Sequence, residues 1–315
     1  MADCQNLFRS YLAKISIDSE KEKKMKTSRD KLRDRIRDWF KKNQPDYKPC
    51  FYVQGSTKMK SVIKTKDDIC DLDDGVYFFQ TPTHEPETLQ DWVRQAVDGY
   101  TSKPAQHRKK CIRTIFAGDY EIDHPVYYKD VDTDEYQIAI KGEDWRDDDP
   151  KGMISWFIKK KKQDTRIVNA VMYLKAWCDF KRHKMPSGLT MTILASNTLD
   201  KIVLNDRDDI TLRDILSEIK KTLDSEFKCI VPVKPGDDLF EDYDQTREDN
   251  FKTALKEFLD DANKALREEN QFKASKLWQK HLGDRFPDGE DKKQESALKT
   301  TIVTGAARSN PWCND

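Results

Sequence analysis

Two stretches of the chain carry residue types that can transfer a phosphoryl group. Gln54-Gly55-Ser56-Thr57 is followed, after thirteen intervening residues, by Asp71-Leu72-Asp73-Asp74-Gly75-Val76. On a strand, residues two apart share a face, so Asp71 and Asp73 present their carboxylates side by side while Leu72 turns toward a core. A later run, Tyr120-Glu121-Ile122-Asp123, supplies Asp123, with Glu121 on its face. Three carboxylates from two strands can hold two Mg²⁺ ions about 3.5–4 Å apart, which clamp the attacking and leaving oxygens of a phosphoryl displacement. Magnesium favours carboxylates plus substrate phosphate over a full protein cage. Gly55-Ser56 before a helical turn fits a phosphate seat, because glycine lets the backbone approach and the hydroxyl donates. Alone, a D-x-D is an ordinary strand end and a Gly-Ser an ordinary turn. The specific signal is their order: strand, Gly-Ser, helix, strand with D-x-D, later strand with a third Asp.

The surrounding elements follow from periodicity. Residues 5 to 43 read as a mostly helical start, with Leu32, Ile36, Trp39 and Phe40 recurring at spacings of three and four. Strands are predicted at Cys50 to Gln54, Ile69 to Phe79, Cys111 to Ala117, Tyr120 to Tyr128 and Tyr136 to Ile140. Short helical stretches fall at Met59 to Ile63 and Met153 to Ile158, and a longer helix at Glu87 to Tyr100. Asp164 is placed to cap a helix running to about Phe180. Apolar segments at Leu189 to Leu204 and Leu212 to Leu223 follow, then one amphipathic region from Asp249 to His281. The polar tail from Asp291 is expected to fray. Strands with helices first, then helices alone, predict an α+β lobe followed by a helical one.

Composition narrows the function classes. The 315 residues suit two domains. With 57 basic and 57 acidic residues the net charge is zero, which argues against a nucleic-acid coat protein. Fourteen Phe, eleven Tyr and seven Trp exclude a disordered chain. No 18-residue apolar window and no apolar leader occur, so neither a membrane span nor a secretory signal is expected. Seven scattered cysteines without a C-x-x-C pair read as a reduced, cytoplasmic protein without a zinc site, most of them small core residues. The basic runs Lys21 to Lys26, Arg29 to Arg37 and Lys159 to Lys162 are interleaved with or followed by acids and read as solvated faces, though Arg29, Arg33 and Arg37 on one helix could flank an electropositive groove.

The Gly-Ser, DLDDGV and EIDHPVYY set resembles the polymerase-β-type nucleotidyltransferase superfamily. The second half, with Leu174-Lys175-Ala176-Trp177 and Pro186-Ser187-Gly188-Leu189, is similar to the helical lobe of oligoadenylate synthetase and cyclic GMP-AMP synthase. The bacterial branch, the CD-NTases of antiphage CBASS systems (cGAS/DncV-like enzymes), matches best. Val231-Pro232, Pro235 to Leu239 and Trp278 to Pro287 add to that likeness. The resemblance covers roughly residues 30 to 290.

It implies a bilobal nucleotidyltransferase fold of the α+β class. Residues 1–160 would form a mixed β-sheet core lobe with a long N-terminal helix, and residues 161–315 an all-helical lobe. Asp71, Asp73 and Asp123 would be the catalytic metal ligands for Mg²⁺ or Mn²⁺. Gly55, Ser56, Lys175 and Ser187 would bind the triphosphate of the donor nucleotide. Asp74 would back the acidic motif or stand exposed. Where some relatives stack an aromatic on a base beside the lid serine, this chain has Gly188, so stacking must come from elsewhere; Tyr127, Tyr128 and Tyr173 are the candidates, each of a type more often found in a core. Residues 57 to 68, with four lysines, sit where relatives carry a loop that governs activation.

The activity implied is template-independent joining of NTPs, ATP and GTP foremost, into a cyclic oligonucleotide, most simply a cyclic dinucleotide. A separate effector would read the product. No nucleic-acid activator and no membrane partner are expected, and the Asp315 terminus does not suggest conjugation to other molecules. Two rivals share the site: a linear or end-tailing nucleotidyltransferase, and a degenerate scaffold without turnover.

Overall fold

The computed structural model describes residues 1–130 and 133–291. The tail beyond Asp291, with Cys313 and the Asp315 terminus, lies outside the described residues. The helical start is two helices, α1 (Gln5–Ile15) and α2 (Ser19–Asn43). Asp18 separates them by accepting the Lys21 amide as N-cap of α2.

The sheet segment then runs β1 (Cys50–Gln54), α3 (Gly55–Met59), β2 (Cys70–Phe78), α4 (Pro86–Val97), β3 (Gln106–His107), β4 (Ile112–Phe116), β5 (Tyr120–His124), β6 (Val126–Lys129), β7 (Tyr136–Ile138) and β8 (Arg146–Asp147). Helix α3 begins at Gly55, four residues before the predicted Met59 start, and Lys60 ends it in the left-handed region at φ 61°. Residues 60–69 are therefore largely irregular. Pro125 splits the predicted Tyr120-to-Tyr128 strand, since it has no N–H to donate. Its carbonyl still accepts the Val76 amide at 2.8 Å. Both halves consequently run parallel to β2, Cys70–Asp73 beside Tyr120–Asp123 and Val76–Phe78 beside Val126–Tyr128. β1 lies antiparallel to β2 and sets Gln54 opposite Asp73. The mixed sheet continues through β4 and β3 on one side and β7 and β8 on the other.

Helices follow: α5 (Pro150–Gln163), α6 (Ile167–Lys181), α7 (Gly188–Asn197), α8 (Asp208–Ser225), α9 (Gln245–Arg267) and α10 (Gln271–Leu282). Asp164 closes α5 and does not cap α6; its carboxylate accepts the Arg166 amide at 2.9 Å. The predicted 249–281 region breaks before Asn270, which caps α10 through the Lys273 amide at 3.0 Å.

Two apolar clusters hold these layers. One lies between the sheet and α2 and α4, with Leu32, Ile36, Phe40, Leu72, Val76, Leu89 and Ile122. The other fills the helices around Trp177, Phe251, Phe258 and Trp278. Helix α1 joins this second cluster: Phe8 sits edge-on to Tyr173, Trp278 and Phe286, with ring centroids 5.2, 5.0 and 5.0 Å away. Cys4, Cys70, Cys178 and Cys229 are buried free thiols, as small core residues. Among the described residues, no helix is long and apolar enough to cross a membrane.

Asp74 is neither exposed nor beside Asp73. One residue on along β2, it faces the opposite side and is fully buried against α2. Arg33 Nε donates to its Oδ2 at 2.8 Å and Nη2 bonds its Oδ1. That pairing takes Arg33 out of any surface groove, and Arg29 and Arg37 pair with Asp30 and Asp34. Removing one partner of a buried pair strands the other charge. Arg33→Met should therefore lower unfolding free energy by about 3–5 kcal/mol in urea titration, and a loss under about 1 kcal/mol would contradict this role.

Candidate active site

The floor of the candidate site is β2 and β5. Their parallel register sets Asp71 beside Glu121 and Asp73 beside Asp123, while Leu72 and Ile122 pair on the core-facing side. Acidic side chains this crowded resist ionisation. Burial pushes Asp71 up to about 6; Arg113 opposes that shift, and Asp123 and Glu121 add to it. Burial pushes Asp73 up to about 7, helped by Asp123 and Asp71 and opposed by Lys175.

Gly55 is dictated by this floor. Its φ is +58°, and a Cβ there would overlap Asp73 Oδ2. The backbone thus passes directly over Asp73, and Ser56 lines the same cleft. Gln54, before it, anchors the turn from below. Tyr77 donates to Gln54 Oε1 at 2.8 Å, and Gln54 Nε2 donates to the Tyr127 hydroxyl at 3.2 Å. Tyr127 in turn donates to Asp148 Oδ2 at 2.8 Å. Gly75 makes room, since a Cβ would come 2.7 Å from Gln54 Oε1. This Tyr77–Gln54–Tyr127–Asp148 chain escaped the sequence reading, because nothing in its spacing marks four residues from separate segments as partners.

The opposite wall comes from α6, α7 and the segment before α9, enclosing a cleft of about 970 Å³. That is the upper end of small-ligand sites, roughly 300–1,000 Å³. Lys175 projects from α6 into it. Its ammonium donates to Ser61 Oγ at 3.0 Å and Ser61 O at 3.2 Å. Burial draws it down to about 8, against the pull of Asp73. Ser187 is the N-cap of α7, its Oγ accepting the Thr190 amide at 3.1 Å, and its neighbours Pro186 and Gly188 line the cleft. The three tyrosines are packing residues. Tyr127 stacks on Tyr77 at 4.7 Å and Tyr128 packs edge-on to Trp145. Tyr173 is buried beneath α1, bonded to Asp208 at 3.1 Å. Only Tyr127 reaches the cleft lining, beside apolar residues such as Val231, Val233 and Leu239.

The lysine-bearing loop is tied to the helices. The Lys66 amide donates to Asp179 at 2.5 Å, and Arg285 donates to the Lys64 and Thr65 carbonyls at 2.6 and 3.0 Å. Arg182 bonds Asp67 at 2.6 Å. At the mouth, Arg146 of β8 bonds Asp237 at 2.7 Å and Lys234 pairs with Glu135.

Asp71, Asp73 and Asp123 form an all-oxygen donor set suited to a hard divalent cation. Burial first, and the neighbouring carboxylates second, keep Asp71 and Asp73 from ionising readily, and a bound cation would oppose both effects. Among the described residues, no three His, Cys, Asp or Glu side chains are yet gathered to hold a metal. The Asp123 carboxylate accepts a two-pronged bond from Arg113.

Residues 49–127 match the family model described as the nucleotidyltransferase domain of cyclic GMP-AMP synthase DncV-like proteins. The whole fold is similar to Vibrio cholerae DncV cyclic AMP-GMP synthase bound to nonhydrolyzable GTP, with TM-score 0.81 and 17% identity over 91% of this chain and 98% of that one. The same enzyme holding the linear intermediate 5′ pppA(3′,5′)pG matches at TM-score 0.78 and 17% identity, over 91% and 97%. Escherichia coli DncV in its 3′-deoxy GTP bound form matches at 0.77 and 18% identity, over 87% and 93%. Residues 49–127 are thus similar to a DncV-like nucleotidyltransferase domain, and the chain has a DncV-like fold.

The carboxylate crowding has a measurable signature. Asp71 and Asp73 bind protons more tightly folded than unfolded, so their contribution to stability is present near pH 4 and is lost as pH rises through about 6 and 7. In EDTA, these groups should make the melting temperature fall between about pH 4 and pH 7, and Asp73→Asn should flatten that fall. Mn²⁺ should stabilise the protein more at the alkaline end. A slope that Asp73→Asn leaves unchanged would refute the assignment.

Proposed function

We propose that the protein is a template-independent nucleotidyltransferase that joins two nucleoside triphosphates, ATP and GTP foremost, and closes the product into a cyclic dinucleotide. The observation that carries this is the juxtaposition of Asp71, Asp73 and Asp123 on adjoining parallel strands, with Gly55 pressed over Asp73 and Lys175 facing it from the helical side. The domain match and the DncV-like fold support the same chemistry. A relative that holds a linear pppApG intermediate fits a reaction of two successive bond formations in one cleft.

In each step a ribose hydroxyl attacks the α-phosphorus of a triphosphate. The new O–P bond forms as the bond to the β-phosphate breaks, and pyrophosphate leaves. Asp71, Asp73 and Asp123 would hold Mg²⁺ or Mn²⁺, which when bound supplies positive charge to the attacking and leaving oxygens. Asp123, facing the acceptor, takes part in removing the hydroxyl proton. Gly55 leaves the backbone open to the triphosphate, and Ser56 donates its hydroxyl. Lys175, drawn down only to about 8, stays mainly protonated at neutral pH and offers a point charge to phosphate oxygens. Ser187 holds the first turn of α7 against the cleft beside Lys175, whose Cε lies 3.4 Å from where a Cβ on Gly188 would sit. On the resemblance to CBASS enzymes, we place the reaction in cytoplasmic antiphage signalling, with a separate effector reading the product.

The test uses purified protein, four labelled NTPs and Mg²⁺ or Mn²⁺, with phosphatase treatment before mass spectrometry. A phosphatase-resistant dinucleotide lacking two pyrophosphates relative to its NTPs is expected, and Asp71→Asn and Asp73→Asn should each abolish it without loss of fold. Linear, phosphatase-sensitive products alone would replace this reading with linear polymerisation. Metal binding with no product under any condition would favour a scaffold.

A further inference from the structure

Arg113 stands on β4, opposite Asp123 in the antiparallel register with β5. β5 lies between β4 and β2, so Asp123 is flanked by Arg113 on one side and Asp73 on the other. Arg113 Nε donates to Asp123 Oδ1 at 2.8 Å and Nη2 to Oδ2 at 2.7 Å. Nη1 pairs with Glu121. The Arg113 and Asp123 side chains are only 18% and 10% exposed, so water screens the pair little. A planar fork on both oxygens is among the strong hydrogen-bonding arrangements for a carboxylate. It also occupies both Asp123 oxygens, the atoms a three-carboxylate site would need, although Asp123 lines the cleft together with Asp71 and Asp73.

We propose that Arg113 is a positioning residue that competes with divalent cations for Asp123. This rests on the metal-site reading above. In the cation-free protein Arg113 keeps the third carboxylate neutralised, with both its oxygens engaged. Asp71 and Asp73, which Arg113 does not fork, make the first contact with a cation. Asp123 completes the set when the Arg113 fork loosens, and Glu121 then retains the freed guanidinium. Arg113 thereby raises the cation concentration at which the full site assembles, and it spares the resting protein an unbalanced buried charge.

The test is a Mn²⁺ titration of the full-length protein without nucleotide, read by calorimetry and by the shift in melting temperature. Arg113→Gln removes the competitor. Weakening of one charge-assisted contact by the usual 1.5–3 kcal/mol corresponds to about tenfold tighter Mn²⁺ binding or more. Arg113→Lys keeps the charge without the fork and should fall between the two. It also gives a readout if Arg113→Gln does not fold. In an Asp123→Asn background, the Arg113→Gln gain should disappear. Binding by either Arg113 variant that is unchanged or weaker than wild type overturns the proposal. So does a gain that persists in the Asp123→Asn background, because the effect would then not run through Asp123. If the wild-type protein shows no Mn²⁺ binding that Asp73→Asn removes, the metal-site reading itself falls, and this inference with it.

Discussion

Four carboxylates share one face of β2 and β5, and their mutual repulsion in a buried setting shapes everything placed around them. Asp71, Asp73, Glu121 and Asp123 sit at adjacent register positions. Arg113 answers the charge from β4 and Lys175 from α6. On the far face of β2, Asp74 would add a further negative charge had Arg33 not been drawn in from α2 to neutralise it. The acidic face of β2 and β5 and the buried Asp74 behind it are thus balanced by cations from two helices, α2 and α6, and from β4 on the far side of β5.

The same crowding explains how close the turn after β1 comes to the floor. Only a residue without Cβ fits over Asp73, and the backbone there is in the left-handed region. Gln54 fixes that turn through Tyr77 and Tyr127, and the hydrogen-bond chain ends on Asp148, just ahead of α5. Since α5 leads into the helices, one continuous set of bonds joins the Gly-Ser turn to the passage between the two halves. The loop of residues 60–69 joins them a second time, through Asp179, Arg182 and Arg285.

What was legible in the sequence is what depends on local period. The two-residue repeat of a strand was enough to align Asp71 with Asp73 and to set Asp123 and Glu121 on one face, and the sheet-then-helix order was readable from apolar spacing. Partnerships were not legible. Nothing near Arg113 or Arg33 in the chain distinguishes them from the many solvated arginines, because their carboxylates arrive through strand pairing and helix docking. Tyr173 looked free to stack on a base, yet α1 covers it. Asp164 has the residue type of a helix cap and sits two residues too early, where it closes the preceding helix. The helix expected from Met59 begins at Gly55, because Gly55 turns the chain in the left-handed region directly over Asp73, a contact that local period does not signal.

The placement of α1 bears on how the chain is made. Its apolar face is covered by α6, α8 and α10, and the Tyr11 hydroxyl bonds the Leu282 carbonyl at 3.2 Å, 271 residues further on. At ribosomal rates of about 5–20 residues per second, that partner emerges roughly 15–55 s after the helix itself. The sheet layer, whose strands and covering helices are complete by residue 147, can fold in that interval, while the first helix waits with Leu7, Phe8 and Tyr11 uncovered. This helix, made well before its partners, is therefore among the last of the described elements to find its place, and until then it is exposed apolar surface that a chaperone would meet.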